Sequence, residues 1–514
     1  MDLGTSGVRA VAFDQGLRVL AQAARPYGMV VAPNGAAEQD ARQVAEAAEA
    51  AVAEVVAKLA GGPRIAALAL CGTASSLAAF GPTDGLGRTQ GDGSGSFVPL
   101  TPAWLWADVR AAAEAAEIRE RFGNVPYQRT GCPVHASYWP AKLLNWRRQG
   151  RLPGHPAILA GIKDYVLYRL TGEWLVDSAV AAATGLFDSD HGIWDGELLN
   201  WLGIGQAQLP RVVSPAQRLP LTASAADRLG LPRKTEIVVG SLDGVLAHLG
   251  LGCERAGLAS CMVGTSGAVR FTLPKRSLDT AGRTWCYPAP GGAWVAGGAV
   301  NNGGNVLTWL GGLIEELMAS STGPCRRSEA GTLASMEWPD RLVRLAMRAP
   351  AGANGLLFLP YVYGERSPLW REDVRGALIG LGPAHGAPEL ARAVLEGLSL
   401  GLYAVYRALV AQAGPASEVR ASGGFVASEP WVQLQADVFG TPVVVTDQSQ
   451  PTAAGAAMVA WYAVGGASLA ELAAGVRVTR VFEPNPRRHA QYEALMRQVE
   501  RLRDAVWPGG GPAR

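Results

Sequence analysis

A short glycine turn occurs twice in this chain, once in each half. Residues 4–9 read GTSGVR, residues 264–270 read GTSGAVR, and an apolar stretch follows each. A tight glycine turn leaves backbone N–H groups free and lets a ligand approach closely, while Thr and Ser hydroxyls add short donors. Two matching turns predict a duplicated fold whose halves each present one turn to a common cleft. Such a cleft would surround a polyphosphate from both sides.

The length predicts more than one domain, since 514 residues exceed one ordinary hydrophobic core. Alternating strand and helix patterns indicate an α/β protein. We place the domain boundary near Thr235, which gives domains at 1–235 and 236–490 and a helix end with a flexible tail at 491–514. Predicted strands lie at 64–70, 236–239, 259–265 and 294–298, a surface loop at 81–96, and helices at 39–59, 107–122, 142–148, 163–170, 305–318, 388–413, 430–439 and 453–464.

Composition excludes two classes of protein. Hydrophobic residues make up 48% and charged residues 18%, so the chain can bury a large core and disorder is not expected. The net charge of +2, from 46 basic and 44 acidic residues, argues against a nucleic-acid binder. Small anionic ligands need only a local site and stay open.

The cysteine pattern indicates a reducing compartment, and the hydropathy pattern indicates a protein that does not span a membrane. The six cysteines form no Cys-x-x-Cys pair, which favours free thiols over disulfides or a zinc site. No apolar run approaches the roughly 20 residues that span a bilayer, and no basic leader precedes the first turn. We therefore expect a cytoplasmic protein without a membrane partner. A homodimer stays open.

Two aspartates stand where chemistry is expected. Asp2 precedes the first turn, and it is either a surface carboxylate or a ligand for Mg²⁺ carried on phosphates. Asp243 follows an apolar strand and stands among glycines, so it either caps the next helix or emerges as a carboxylate inside a cleft. The residues alone do not separate these alternatives.

The other glycine-rich stretches match no known nucleotide fingerprint. Residues 297–304 (GGAVNNGG) and 422–424 (SGG) lack the G-x-G-x-x-G spacing and a following acidic residue. The chain has no G-x-x-x-x-G-K-[ST] loop, and its six histidines show no ligand spacing. A dinucleotide-dependent oxidoreductase and a P-loop enzyme are therefore disfavoured.

In combination, eight motifs resemble the FGGY carbohydrate kinases over roughly residues 2–492. These motifs are residues 2–9 (DLGTSGVR), 101–110 (TPAWLWADVR), 130–146 (TGCPVHASYWPAKLLNW), 169–177 (RLTGEWLVD), 240–252, 263–270, 364–381 (GERSPLWREDVRGALIGL) and 422–439. The resemblance implies the sugar kinase–actin–chaperone ATPase (ribonuclease H-like) fold. Two α/β domains of related topology would then close over ATP and a sugar in a central cleft.

The resemblance also implies a role for each matching position. Asp2 would help to hold Mg²⁺, and Asp243 would be the general base for the sugar hydroxyl. The residues that would contact ATP are Thr5, Ser6, Arg9, Gly264, Thr265, Gly304, Gly423, Gly424 and Ser428. The residues at the sugar site would be Ser75, Ser76, Trp106, Asp108, Arg110, Ser137, Tyr138 and Lys142.

Three stretches, 130–146, 297–310 and 364–381, look most like gluconate kinases. For a sugar acid, Lys142 or Arg110 could supply a cation. The alternatives are a kinase for another sugar or polyol, such as xylulose or ribulose, and a non-catalytic ATP-binding sensor.

The chain departs from its relatives in two places. Ser75 or Ser76 stands where many of them carry a sugar-contacting histidine. Few residues precede Asp2, so we expect either an upstream start or a frayed first strand with a loosely held metal site.

Overall fold

The structure, a computed structural model, describes residues 1–62, 64–83, 97–321 and 337–508. Most of the loop predicted at 81–96, together with Cys325 and the last six residues of the predicted tail, lies outside this part of the chain. The five cysteines that the structure describes are buried free thiols.

Strands and helices alternate through both halves, and most predicted elements are present with ends shifted by a few residues. The strands are β1 (Asp2–Leu3), β2 (Gly7–Phe13), β3 (Val19–Pro26), β4 (Val30–Val31), β5 (Ala37–Gln39), β6 (Ala67–Gly72), β7 (Ala78–Pro82), β8 (Phe97–Pro99), β9 (Ala103–Trp104), β10 (Ile158–Ala160), β11 (Leu175–Asp177), β12 (Phe187–Asp188), β13 (Ile193–Trp194), β14 (Arg211–Val213), β15 (Arg218–Pro220), β16 (Glu236–Leu242), β17 (Leu258–Val263), β18 (Gly267–Leu273), β19 (Trp285–Pro288), β20 (Trp294–Val300), β21 (Leu357–Leu359), β22 (Ala377–Ile379), β23 (Glu418–Ser422), β24 (Val443–Thr446) and β25 (Val478–Phe482).

The helices are α1 (Ala41–Lys58), α2 (Ala112–Phe122), α3 (Val125–Thr130), α4 (Trp139–Arg148), α5 (Ile162–Thr171), α6 (Ser178–Ala182), α7 (Gly196–Leu202), α8 (Ala223–Leu229), α9 (Asp243–Gly250), α10 (Gly304–Ser321), α11 (Glu337–Ala346), α12 (Ala387–Ala413), α13 (Glu429–Phe439), α14 (Pro451–Ala463), α15 (Leu469–Ala474) and α16 (Pro486–Val506).

Two large sheets repeat one topology, which confirms the duplication predicted from the glycine turns. The first sheet has the order β3-β2-β1-β6-β16-β15, and the second contains the same series as β20-β18-β17-β23-β24-β25, with β19 added beyond β20. In each series the first three strands pair antiparallel, the next two join in parallel, and the last is antiparallel. The first glycine turn joins β1 to β2, and the second joins β17 to β18, so the two turns lie in equivalent hairpins.

Helices α9 and α14 follow equivalent strands of the two sheets and cross at close range. A Cβ at Gly250 would lie 1.8 Å from the Pro451 carbonyl oxygen, and a Cβ at Gly455 would lie 1.9 Å from that of Leu246. Glycine at both positions lets the backbones touch, and α14 also packs its alanines against the first sheet. This crossing joins the two halves.

The change from one sheet to the other falls later than the predicted boundary near Thr235. Strand β16 pairs in parallel with β6 and antiparallel with β15, so it belongs to the first sheet. Its residues do not indicate this partner, because an apolar strand fits either sheet. The second sheet begins with β17, and Asp243 stands at the junction.

The first strand is not frayed, contrary to expectation. Asp2 pairs with Arg9 of β2 on one side and with Cys71 of β6 on the other. The Cys71 N–H donates to the Met1 carbonyl oxygen at 2.8 Å. The short strand is therefore held from both sides in the middle of the sheet.

One helix within the described residues, α12, is long and apolar enough to cross a membrane. Of its most apolar window, 78% is buried inside the protein, where it packs with the second sheet in one hydrophobic core. Helix α12 therefore forms part of the core.

Candidate functional site

The second glycine turn lies against the start of α10. The Gly264 N–H donates to the Ser266 carbonyl at 2.9 Å, while the Gly264 carbonyl accepts the N–H of Gly304 at 2.8 Å. The Asn305 N–H reaches the Thr265 carbonyl at 3.2 Å. A Cβ at Gly304 would lie 2.8 Å from the Gly264 oxygen, so this approach needs glycine. The structure thus brings Gly264, Thr265 and Gly304 together at a long helix N-terminus, which favours anions.

The predicted adenosine residues follow β23 and lie beside the same turn. Gly423 has φ +92°, and a Cβ there would lie 2.3 Å from the Val263 oxygen at the end of β17. Gly424 is exposed, and no described atom lies within 4 Å of its added Cβ. Ser428 is half-buried at the start of α13. Of these positions, Gly423 lies against the residue that precedes the second glycine turn.

The first glycine turn is closed by a hydrogen bond from the Gly4 N–H to the Gly7 carbonyl at 3.1 Å. The Thr5 hydroxyl accepts the Trp106 indole N–H at 3.3 Å, which ties the turn to the predicted sugar site. Ser6 and Arg9 are exposed, and the Arg9 guanidinium reaches Gln450 of the second half at 3.4 Å. The first turn therefore faces both the sugar site and the opposite domain.

Asp2 and Asp243 stand at the ends of β1 and β16, with β6 between them. Between Val238 and Ser241 a β-bulge shifts the register of β16 against β6 by one residue. Gly240 lies in this bulge at φ +69°, where a Cβ would overlap the Leu70 oxygen at 1.7 Å. Such a bulge re-aims the residues that follow it. This bulge therefore sets the direction of the chain at the end of β16, where Asp243 follows.

The pKa of the Asp243 carboxyl lies above its ordinary value. Burial raises its pKa to about 6, opposed by the charges of Arg270 and Arg366 and assisted by that of Asp2. Its Oδ1 accepts the Gly244 N–H at 2.6 Å. Arg270 lies beside it on β18, buried, and its Nε has no hydrogen-bond partner among the described residues. At neutral pH, Asp243 is mostly a carboxylate and can accept a proton.

Aromatic side chains line the predicted sugar site. Trp106 is half-buried, while Tyr138 is buried with its hydroxyl 3.4 Å from that of Tyr287. Ser137 is buried, with its hydroxyl 2.9 Å from the Nδ1 atom of His135. Burial lowers the pKa of His135 to about 4, so its ring is neutral at physiological pH.

The hydroxyls of Ser75 and Ser76 are used within the fold. Ser75 has φ +58° and donates its hydroxyl to the Ala183 carbonyl at 2.8 Å. The Ser76 hydroxyl accepts the Ile162 N–H at 3.1 Å. Both residues are buried. They shape this wall of the site through the backbone conformation.

Lys142, Asp108 and Arg110, which were predicted at the sugar site, have their charged groups engaged by other groups of the protein. The fully buried Lys142 ammonium contacts the carbonyls of Ser75, Trp104 and Leu105 at 2.8, 3.3 and 2.7 Å, which uses its three donors. Buried Asp108 binds the Arg110 guanidinium, whose Cζ lies 3.7 Å from the Trp104 ring centroid. Sequence analysis could place these side chains near the sugar site but could not assign their partners.

Residues from the second half cover this wall, and the sequence analysis did not single them out. The Arg366 Cζ lies 4.5 Å from the Trp106 ring centroid. Trp370 packs against Tyr138 at a centroid distance of 6.1 Å. The Glu372 carboxylate lies 3.1 Å from the Nε2 atom of His135. Their segment, residues 364–381, was among the motifs of the resemblance, which was the available signal.

The few carboxylates of the site fit a cation that takes most of its ligands from water and phosphate oxygens. Within the described residues, no group of three or more His, Cys, Asp or Glu side chains could hold a metal. Asp2 is a single carboxylate just before the first turn, and Asp243 is a single carboxylate whose pKa is affected by the charge of Asp2. Mg²⁺ binds through one or two carboxylates together with water and phosphate oxygens. The donor set therefore suits Mg²⁺ that arrives on a nucleotide.

Two models of one protein family match most of this chain. Residues 1–250 match the N-terminal domain of the FGGY family of carbohydrate kinases, and residues 259–464 match its C-terminal domain. A gluconokinase of Bacillus subtilis is 33% identical over 470 residues, which cover 90% of this chain and 87% of that protein. Xylulose kinases and glycerol kinases also match over nearly the full length, at 27% and 32% identity in two examples from Staphylococcus epidermidis and Gloeobacter violaceus.

Two solved structures from Lactobacillus acidophilus superpose with a TM-score of 0.87. One is a ligand-bound xylulose kinase at 30% identity, and the other is a gluconate kinase at 29% identity. Each comparison covers 99% of this chain and 98% of the other. Both substrates therefore occur among proteins of this shape.

Proposed function

We propose, from the premise that this chain belongs to the FGGY family of carbohydrate kinases, that it phosphorylates D-gluconate to 6-phosphogluconate. The premise makes the protein an ATP-dependent phosphotransferase that acts on a hydroxyl group. The observation that carries the mechanism is the half-buried Asp243 carboxyl at the junction of the two sheets, whose pKa is raised to about 6. The choice of gluconate is supported by the similarity to gluconokinases.

In this mechanism Asp243 is the general base. Its carboxylate accepts the proton of the sugar hydroxyl while the hydroxyl oxygen forms a bond to the γ-phosphorus. The bond from that phosphorus to the β–γ bridging oxygen breaks, and ADP leaves with the electron pair. Phosphoryl transfer depends chiefly on positioning and charge neutralisation, and a placed base typically adds roughly 10²–10⁴-fold.

The two turns position the nucleotide in this proposal. Thr5, Ser6 and Arg9 approach the phosphates from the first domain. Gly264, Thr265 and Gly304 approach them from the second, at the N-terminus of α10. Gly423, Gly424 and Ser428 border the adenosine. Closure of the domains would exclude water from the transferred group.

Asp2 would hold Mg²⁺ bound to the phosphates, with water completing the coordination. When bound, the ion neutralises charge on the phosphate oxygens. Burial raises the pKa of Asp2, while its contact with Cys71 and the charge of Arg9 lower it. A cation at this carboxylate would offset the cost of its burial.

Trp106, Ser137 and Tyr138 line the sugar site in this proposal, and Ser75 and Ser76 shape its wall. A xylulose kinase is the second candidate, because a xylulose kinase structure is as similar as a gluconate kinase structure. A non-catalytic sensor has no use for a base, so the presence of Asp243 argues against that alternative.

A sugar panel with coupled detection of ADP tests the substrate. The wild-type protein should give a kcat/KM for D-gluconate at least ~10-fold above those for D-xylulose, D-ribulose and glycerol. A preference for xylulose or another neutral sugar would overturn gluconate and leave the kinase intact. ADP formation that needs no sugar would overturn the acceptor site altogether.

A further inference from the structure

Arg366 carries a positive charge from the second domain onto the sugar site of the first. Its Nε donates to the Asn301 side-chain oxygen at 2.7 Å. Its Cζ lies 4.5 Å from the centroid of the Trp106 ring, so the guanidinium contacts the face of that indole. These two contacts come from different domains and fix both the position and the plane of the guanidinium.

A buried acid supports this arrangement from behind. The Glu365 carboxylate accepts the backbone N–H of Asn301 at 2.7 Å and that of Arg366 at 2.9 Å. The Asn302 amide donates to the Glu365 carboxylate at 3.3 Å and to the Gly364 carbonyl at 2.8 Å. Glu365 is 1% exposed, so this network lies in the protein interior. The loop therefore holds Arg366 without using its terminal nitrogens.

The terminal nitrogens of Arg366 are left for a ligand. In the described ranges they make no hydrogen bond and no ion pair, Asp243 included. The carboxyls of Glu365 and Asp243 are near enough for their charges to act on the guanidinium, and the neutral hydroxyls of Tyr138 and Tyr287 lie in the same surroundings. A guanidinium fork with two free N–H groups is suited to the two oxygens of a carboxylate. Because Arg366 lies beside Trp106, a carboxylate bound by Arg366 would lie within the predicted sugar site.

The same site contains a second arginine with a different position. Arg270 lies behind the base, with its guanidinium 3.1–3.2 Å from an added Cβ at Gly244. Lys142 and Arg110, the cations expected from the sequence, are occupied by carbonyls and by Asp108. Arg270 also has an unpartnered Nε, but it lies behind the base, so among the described residues Arg366 is the cation that combines available donors with a place on Trp106.

We propose that Arg366 binds the carboxylate of a sugar acid and sets the preference for an acid over the matching neutral polyol. This inference rests on the proposed function. In D-gluconate the carboxylate and the terminal hydroxyl stand at opposite ends of the carbon chain. The acid end lies at Arg366 and Trp106, and the reacting hydroxyl lies at Asp243. The competing role for Arg366, contact with the transferred phosphoryl group, is an outcome of the test.

The first test changes the ligand and leaves the protein intact. Wild-type enzyme is assayed with D-gluconate, D-gluconamide and D-glucitol, which differ only at the first carbon. We expect kcat/KM to be ~30–100-fold lower for the amide and the polyol, as for a lost charge-assisted pair. If the acid is a substrate and the amide is equally good, the inference is wrong and the proposed function survives. If no acid is a substrate, both are wrong.

The second test changes Arg366. The Arg366→Gln variant should raise KM for D-gluconate by ~30–100-fold with kcat within ~5-fold, and should change kcat/KM for D-glucitol less than ~3-fold. Arg366→Lys, which keeps the charge and loses the fork, should fall between. Arg371→Gln is the matched control, because Arg371 lies in the same segment and pairs with Asp373.

Equal losses for the acid and the polyol in Arg366→Gln would assign Arg366 to the phosphoryl group and overturn the inference. Unchanged kinetics would overturn it as well. Thermal unfolding and ATP affinity of each variant check that the protein remains folded. If Arg366→Gln does not fold, Arg366→Lys and the ligand series still decide between the outcomes.

Discussion

Asp243 and Asp2 stand at the ends of two strands that are separated only by β6, and the charge of Asp2 raises the pKa of Asp243. Cys71 of β6 lies between them, paired with Asp2 in the sheet and in contact with its carboxyl. The proposed metal ligand Asp2 and the proposed base Asp243 thus lie close enough in the first sheet for the charge of one to affect the pKa of the other.

Replacement of the base should stop phosphoryl transfer and spare nucleotide binding. For Asp243→Asn we expect kcat to fall by roughly 10²–10⁴-fold, because the amide cannot accept the hydroxyl proton. The Kd for ATP should change less than ~3-fold. Steady-state kinetics and calorimetric ATP titration measure the two quantities. Turnover near the wild-type rate would show that another group is the base.

The same variant should be more stable than the wild type at high pH. The folded-state pKa of Asp243, about 6, lies above its ordinary value of 3.8. Charging the group therefore costs the folded state stability as the pH rises through about 6, on the order of 2–3 kcal/mol. Asp243→Asn should gain that much at pH 8 and nothing at pH 3.5. Urea unfolding at both values checks the sign.

The acid side of the pH–activity profile should report a pKa well above that of an ordinary aspartate. We expect kcat/KM to fall tenfold per pH unit below about pH 6, where Asp243 becomes protonated. Burial also raises the pKa of Glu365, to about 7. Glu365→Gln is therefore the control, and its profile should keep the limb near pH 6. Loss of that limb in Glu365→Gln would reassign it to Glu365.

Two neighbouring glycines offer a matched pair at the nucleotide site. In Gly423→Ala the new Cβ would lie 2.3 Å from the Val263 oxygen at φ +92°, so β23 and the phosphate turn must separate. We expect a loss of about 2 kcal/mol or more in stability and weaker ATP binding. In Gly424→Ala no described atom lies within 4 Å of the Cβ.

Gly424→Ala should therefore keep the stability of the wild type, and any loss of its ATP affinity would report contact with the nucleotide. Thermal unfolding and ATP titration of both variants separate the two effects. Equal stability of the two variants would contradict the close approach at Gly423.

The sequence carried the duplicated fold, because each Gly-Thr-Ser-Gly turn joins an antiparallel hairpin and such turns depend on local residues. Helices α10, α12, α13 and α14 were predicted within a few residues for the same reason, whereas α11 was not predicted. The partner of β16 was not predictable, since an apolar strand fits either sheet. The Lys142 partners were equally hidden, because three backbone carbonyls leave no mark in the sequence. Arg366 was missed because its site is completed by Trp106, which is distant in the chain.

Lys142 should prove to be a structural residue. In Lys142→Met the carbonyls of Ser75, Trp104 and Leu105 lose their donor, and we expect a loss of about 3 kcal/mol or more. The exposed Lys234→Met is the control and should change stability by less than ~0.5 kcal/mol. Chemical unfolding measures both. Unchanged stability together with a raised KM for the sugar would instead place the ammonium on the substrate.

Residues added ahead of Met1 should stabilise the first sheet. Asp2 pairs with Arg9 and Cys71, so four residues added to β1 would run between residues 11–14 and 66–69. A cavity of about 280 Å³ lies there, lined also by α1 and α14. Four apolar residues should fill it, and their burial at roughly 1.5–3 kcal/mol per side chain offsets the entropy lost at about 1–2 kcal/mol per residue, which a polar extension cannot do.

We therefore expect a higher Tm for a protein extended by Val-Leu-Val-Leu than for one extended by Gly-Ser-Gly-Ser, which has the same length without the side chains. The apolar extension should also tighten Mg²⁺-ATP binding, because Asp2 stands at the other end of the strand that it lengthens. Thermal unfolding and nucleotide titration compare the two proteins. Equal Tm values would show that the added chain does not enter the sheet. A higher Tm without tighter binding would show that Asp2 is already held firmly by its pairing with β2 and β6.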